Sequence, residues 1–143
     1  NVTSLLQKEH EKGMGQLDYY DHFQKKALKV KLDFTEFLIQ QKRAGKSVIG
    51  YGAAAKGNTL LNYCGIKNDL IDFVADANPH KQNKFLPASH IPVVDENYLK
   101  AHRPDYVIIF PWNLKEEITE QLSYIRVWGG KFVVPIPSLE IID

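Results

Sequence analysis

The residues best suited to chemistry lie in one stretch, Ser47 to Asn62, which reads SVIGYGAAAKGNTLLN. Ser47-Val48-Ile49 favours a strand, Gly50-Tyr51-Gly52 a tight turn, and Leu60-Leu61 the apolar side of a helix. Gly50-Tyr51-Gly52-Ala53-Ala54-Ala55 fits G-x-G-x-x-A, the alanine-ended variant of the dinucleotide-binding fingerprint. Glycine bends the chain without a Cβ clash, and the small residues after it let the backbone approach a bound group. The N-terminus of the following helix offers unpaired N–H donors and the positive end of a dipole. Lys56 adds a mobile positive charge beside Gly57 and Asn58. Anion binding is the chemistry favoured, most simply phosphate. The competing reading is that the small residues only let the helix pack on a sheet.

Two further stretches carry polar groups at the ends of expected strands. Asp76 follows Leu70-Ile71-Asp72-Phe73-Val74-Ala75, 26 residues beyond Gly50. An acid near this place binds a ribose hydroxyl in many dinucleotide folds. Asn78-Pro79 then turns the chain, and Lys81, Gln82 and Lys84 bring donors to a long loop. Pro111-Trp112-Asn113 follows the apolar run Asp105 to Phe110. Trp112 offers a flat face for a base or sugar, and Asn113 both a donor and an acceptor. Equally, Trp112 suits a core cap and Asn113 a helix N-cap. The five histidines show no metal spacing, and no Ser-His-Asp set is legible from residue order. Cys64 is the single cysteine, which rules out an internal disulfide, argues against a cysteine zinc site, and suits a small buried residue.

These stretches need elements to position them. A short helix is expected over Val2 to Lys12, capped by Thr3 or Ser4, with Gly13-Met14-Gly15 as a break. Leu17 to Arg43 then carries one long helical pattern: Tyr20, Phe23, Ala27, Val30, Phe34 and Phe37 are spaced 3, 4, 3, 4, 3. Such a helix spans about 40 Å, more than a small sheet covers, so one end is expected to pack on another domain or subunit. Gly45 stops it. From Ser47 onward strands alternate with helices, which implies a parallel sheet with right-handed crossovers. The expected architecture is α/β, a five-stranded parallel sheet in the order 3-2-1-4-5 with helices on both faces. The strands are those at Ser47, Leu70, Ile91, Asp105 and Lys131; Pro92 places the third near an edge. Leu114 to Arg126 is expected as one helix, and Pro135 to Asp143 as an extended tail. Gly52, Asp76 and Trp112 then share the carboxyl edge, beside the point where strand order reverses. Residues 1–45 form the N-terminal helices and 46–143 the sheet domain.

Composition sets limits on partners. A net charge of +1 gives no reason to invoke nucleic acid or an anionic membrane. No apolar run approaches a membrane span and no signal peptide is visible, which is compatible with a cytoplasmic setting. The start at Asn1 without Met suggests a fragment or a processed chain.

Taken together, VIGYGAAAKGNTLLNYCGI, DFVADANPHKQNKFLPASHIPVV and VIIFPWNLKEEI resemble the C-terminal domain of the bacterial S-adenosylmethionine-dependent sugar C-methyltransferases, over about Leu17 to Leu139. The resemblance implies a Rossmann-like domain that holds a nucleotide-linked keto-deoxysugar against a central methyltransferase domain. It implies Gly50, Tyr51, Gly52, Ala53, Ala54, Lys56, Gly57 and Asn58 as the phosphate-side turn. Asp76, Asn78, Lys81 and Gln82 follow from the second motif, Trp112 and Asn113 from the third. It implies S-adenosylmethionine as methyl donor, bound mainly by a domain absent from this chain, and zinc only in an N-terminal domain also absent. In the whole enzyme a base removes a proton α to the sugar ketone, and the enolate attacks the sulfonium methyl; this part supplies orientation. Two positions depart from the pattern, Asn83 and Ala88, where glycines are expected. The alternatives are a nicotinamide-dinucleotide oxidoreductase domain and a non-catalytic interaction module whose long helix docks a partner.

Overall fold

A computed structural model describes all residues, Asn1 to Asp143. Helix α1 (Val2–Glu11) is capped by Asn1, whose Oδ1 accepts the Thr3 N–H, so the cap precedes the Thr3 or Ser4 expected from sequence. Helix α2 runs Leu17–Arg43 as its stripe requires. The strands are β1 (Val48–Tyr51), β2 (Val74–Ala75), β3 (Lys84–Phe85), β4 (Pro92–Val94), β5 (Tyr106–Ile109), β6 (Lys131–Val134) and β7 (Glu140–Ile142). Between them lie α3 (Ala55–Cys64), α4 (Glu96–His102) and α5 (Lys115–Gln121). No helix is long and apolar enough to cross a membrane.

The expected five-stranded, wholly parallel sheet is corrected. The sheet has seven strands and is mixed, in the order β3-β4-β2-β1-β5-β6-β7. β4, β2, β1, β5 and β6 run parallel, while β3 and β7 pair antiparallel along the two edges. Both edge strands come from segments read as irregular. The loop after Asp76 folds back so that Phe85 faces Pro92, the residue that cannot donate to a ladder. The tail returns along β6, tied by ion pairs from Lys131 to Asp143 and from Lys115 to Glu140.

Two other elements are shorter than expected. Only Val74 and Ala75 form strand in the 70–75 run, although Asp72 and Phe73 still follow β1: Phe73 O accepts the Gly50 N–H at 2.9 Å. The helix after Trp112 is split into a 3-10 turn (Trp112–Leu114), α5, and a second 3-10 segment (Ser123–Trp128). Ile118, Leu122 and Ile125 nonetheless all stay in the core.

Alternation along the strands builds two cores. Val48, Val74, Val93, Ile108, Phe110 and Val133 meet α2 and α3 through Phe34, Phe37, Leu38, Leu60 and Leu61. Ile49, Tyr51, Val107, Ile109, Phe132 and Val134 meet Leu99 of α4 and Ile118 of α5. The result is helix, sheet, helix, with the crossovers changing face between β1 and β5.

Candidate functional site

The turn after β1, the end of β2 and the end of β5 meet at the carboxyl edge of the sheet. Gly52 has φ +89°, and a Cβ there would lie 2.6 Å from Pro111 Cδ and Cγ. A Cβ on Gly57 would lie 2.6 Å from Phe110 Cβ, and one on Gly50 would strike the Phe110 ring. The space left by these three glycines is therefore filled by Phe110 and Pro111. Their small size seats α3 on β1 and β5.

Asp76 lies beneath the turn and is buried. Its Oδ2 accepts the Ala53 N–H at 2.7 Å, and its Oδ1 accepts the Asn78 N–H at 2.8 Å. Gln82 Nε2 donates to the Asp76 carbonyl at 2.8 Å, and Lys81 Nζ donates to the Ala53 carbonyl at 3.0 Å. Lys81 Nζ is also 3.7 Å from Asp76 Oδ2. Ala53, Asp76, Asn78, Lys81 and Gln82 are thus one bonded group. Asp76 braces the turn from inside, each carboxylate oxygen accepting one backbone N–H.

What the turn leaves open is the start of α3. Ala54 occupies the N-cap position with no side-chain cap, so the first-turn N–H groups have no side-chain acceptor. Lys56 stands there, exposed, with Nζ 3.0 Å from Asn113 Oδ1 and 5.7 Å from the centre of the Trp112 ring. Trp112 packs on both cores, as a core cap should. Asn113 caps no helix; its amide holds the lysine instead. A hollow of about 390 Å³ opens beside Trp112 and Asn113, bounded by Leu114, Lys115, Glu116 and Glu117. Asn58 Oδ1, in the second turn of α3, is buried without a partner.

Tyr51 goes elsewhere. Strand alternation turns it to the opposite face from Gly50 and Gly52, where its hydroxyl accepts from Gln121 Nε2 at 2.9 Å. Burial, and then the negative charge of Glu96, pushes its phenol above the ordinary value. Nearby, Tyr124 donates to Glu96 Oε1 at 2.8 Å, and burial again raises its phenol, with Glu96 adding to the shift. Gln121, Tyr124 and Glu96 were not singled out from sequence; the alternation of β1 was the one signal available, and it speaks only for the face Tyr51 takes.

The family model described as the C-methyltransferase C-terminal domain matches residues 1–137. The chain belongs to that family. It is 34% identical over 142 residues to C-methyltransferase NovU of Streptomyces niveus, a match covering 99% of this chain and 34% of that one. The chain therefore spans about a third of the length of this relative. A solved structure, UDP-D-quinovosamine 4-dehydrogenase from Vibrio fischeri, is similar at a TM-score of 0.46 and 19% identity, over 68% of this chain and 93% of that one.

Within this C-methyltransferase C-terminal domain, the acid at the end of β2 is bonded to two backbone N–H groups, and Lys56 and Lys81 bring positive charge to the carboxyl edge. No three His, Cys, Asp or Glu side chains lie close enough to hold a metal. The two departures from the glycine pattern are also visible: Asn83 and Ala88 have φ of +59° and +65°, the conformation glycine favours.

Proposed function

We propose that this chain is the substrate-holding domain of an S-adenosylmethionine-dependent C-methyltransferase that acts on a nucleotide-linked keto-deoxysugar. Family membership supports the methyl-transfer setting. The observation that carries the substrate class is the uncapped start of α3, with Lys56 in its first turn reaching to Asn113 after β5. Free N–H groups, a helix dipole and an ammonium together favour a diphosphate. The hollow beside Trp112 and Asn113 gives the adjoining nucleoside or sugar a place, with the indole as a flat wall. Lys81, Gln82 and Asn78 hold the neighbouring loop in position. The chain's own work is orientation: it fixes the diphosphate so that the sugar ring meets the reacting groups elsewhere in the polypeptide. The donor, which supplies the methyl group, belongs to that other part. The engaged carboxylate of Asp76 counts against the dinucleotide reading, which needs a free acid for the ribose.

Titration with thymidine diphosphate tests this. At low salt Lys56→Ala should weaken binding roughly fivefold, about 1 kcal/mol, and high salt should erase most of the difference. Lys56→Arg should retain the affinity. An unchanged affinity for Lys56→Ala at low salt removes this lysine from the site. Tight binding of a nicotinamide dinucleotide, with silence towards thymidine diphosphate, would give the crevice to the oxidoreductase reading.

A further inference from the structure

The apolar stripe of α2 is longer than the sheet that receives it. Phe34, Phe37 and Leu38 are fully packed, yet no residue before Phe34 is buried. Tyr20 and Phe23 lie on the same helical face as Phe34 and Phe37 and are 55% and 65% exposed. Leu5 and Leu6 of α1, with Leu17 and Leu28 of α2, are between 46% and 83% exposed. A ten-residue helix such as α1 is marginal in water when nothing covers it, and exposed leucines and aromatics along two successive helices mark an interaction face.

We propose that α1 and the first half of α2 are the surface on which the remainder of the same polypeptide docks. This rests on reading the chain as one domain of a longer enzyme. Three observations select that occupant. The family match begins at residue 1, so these helices are part of the domain rather than a stray linker. The match covers only 34% of the relative, which leaves about two-thirds of that polypeptide to be accommodated. The family is a C-terminal domain, so the rest of such a polypeptide joins at the α1 end. One continuous helix then has its second half in the sheet core and its first half in the neighbour, which ties the two parts together without a flexible hinge.

Hydrogen exchange on the polypeptide expressed from the complete reading frame tests this. Amides of residues 17–33 should exchange at least tenfold more slowly than those of an uncovered helix. Phe23→Ser with Leu28→Ser should abolish that protection while leaving β1 and β5 as slow as before, which shows that the sheet domain still folds. Fast exchange over 17–33 in the unsubstituted polypeptide overturns the proposal. So does protection that vanishes on dilution, which would make a second copy the cover, and so does a reading frame that adds no further domain. The Lys56 titration reports on the sheet edge alone, so either result can fail without the other.

Discussion

Asp76 brings a negative charge to the underside of a turn whose sequence suggests phosphate binding. Its oxygens take the N–H groups of Ala53 and Asn78, which turns that charge towards the chain's own backbone and leaves the first turn of α3 without a side-chain cap. Burial has a measurable consequence at Cys64, which packs in the core at the end of α3. Desolvation pushes its thiol up to about 11, with the positive charge of Lys31 opposing. An acid whose folded value is raised stabilises the fold below its unfolded value, about 8.5, and that stability is lost as pH climbs towards the folded value. Between the two, the slope is at most ~1.4 kcal/mol per pH unit. Cys64→Ala lacks this dependence. Its destabilisation, read from urea midpoints, should therefore be largest near neutral pH and shrink as pH rises towards 11. A gap that stays constant with pH would show that the thiol ionises freely in the folded chain.

At the level of elements, the loop between β2 and β4 combines strain with tight anchoring. Three of its non-glycine residues, Asn83, Ala88 and His90, have positive φ. Asparagine tolerates that conformation and alanine does not, at about 1 kcal/mol or more. Ala88→Gly removes the strain but loosens the unfolded chain, so a net gain of about 0.5 kcal/mol is expected in chemical denaturation. Asn83→Gly should change little. Loss of stability in Ala88→Gly would mean that the alanine methyl contributes packing that outweighs its backbone strain. The loop also shows where sequence reading stops. The long stripe of α2 fixed its limits, Gly45 and Gly65 marked helix ends, and the apolar runs at Val48 and Tyr106 gave the two central strands. β3 and β7 were not legible, because two- and three-residue edge strands form only when a finished neighbour offers its hydrogen-bonding groups. Asp76 was found by position, but its partners depend on how the loop closes, and that is set by Lys81 and Gln82 reaching back to the turn.

The molecule as a whole uses the two ends of its parallel strands differently. The carboxyl edge gathers the open helix start, Lys56 and the hollow beside Trp112. The amino edge gathers a closed polar knot: Ser47 Oγ lies 2.8 Å from His102 Nε2 and 3.5 Å from Asp72 Oδ2, while the Ser47 N–H donates to Asp105 Oδ2 at 2.8 Å. Lys42 and Lys46 reach the same carboxylates. The residue types are those of a hydrolytic triad, but the geometry is not. His102 meets both Ser47 and Asp72 through Nε2, so the aspartate does not orient the ring through its other nitrogen. The knot instead ties the starts of β1 and β5 to the end of α4 and the entry to β2. Ser47→Ala should therefore cost about 1 kcal/mol of stability in urea denaturation and leave thymidine diphosphate affinity unchanged. Lys56→Ala should do the reverse, weakening binding while leaving the urea midpoint in place, because its exposed ammonium makes one solvent-accessible hydrogen bond. If Ser47→Ala lowered ligand affinity at temperatures where the chain is fully folded, the two edges would be coupled through the sheet, and the division of labour between them would fail.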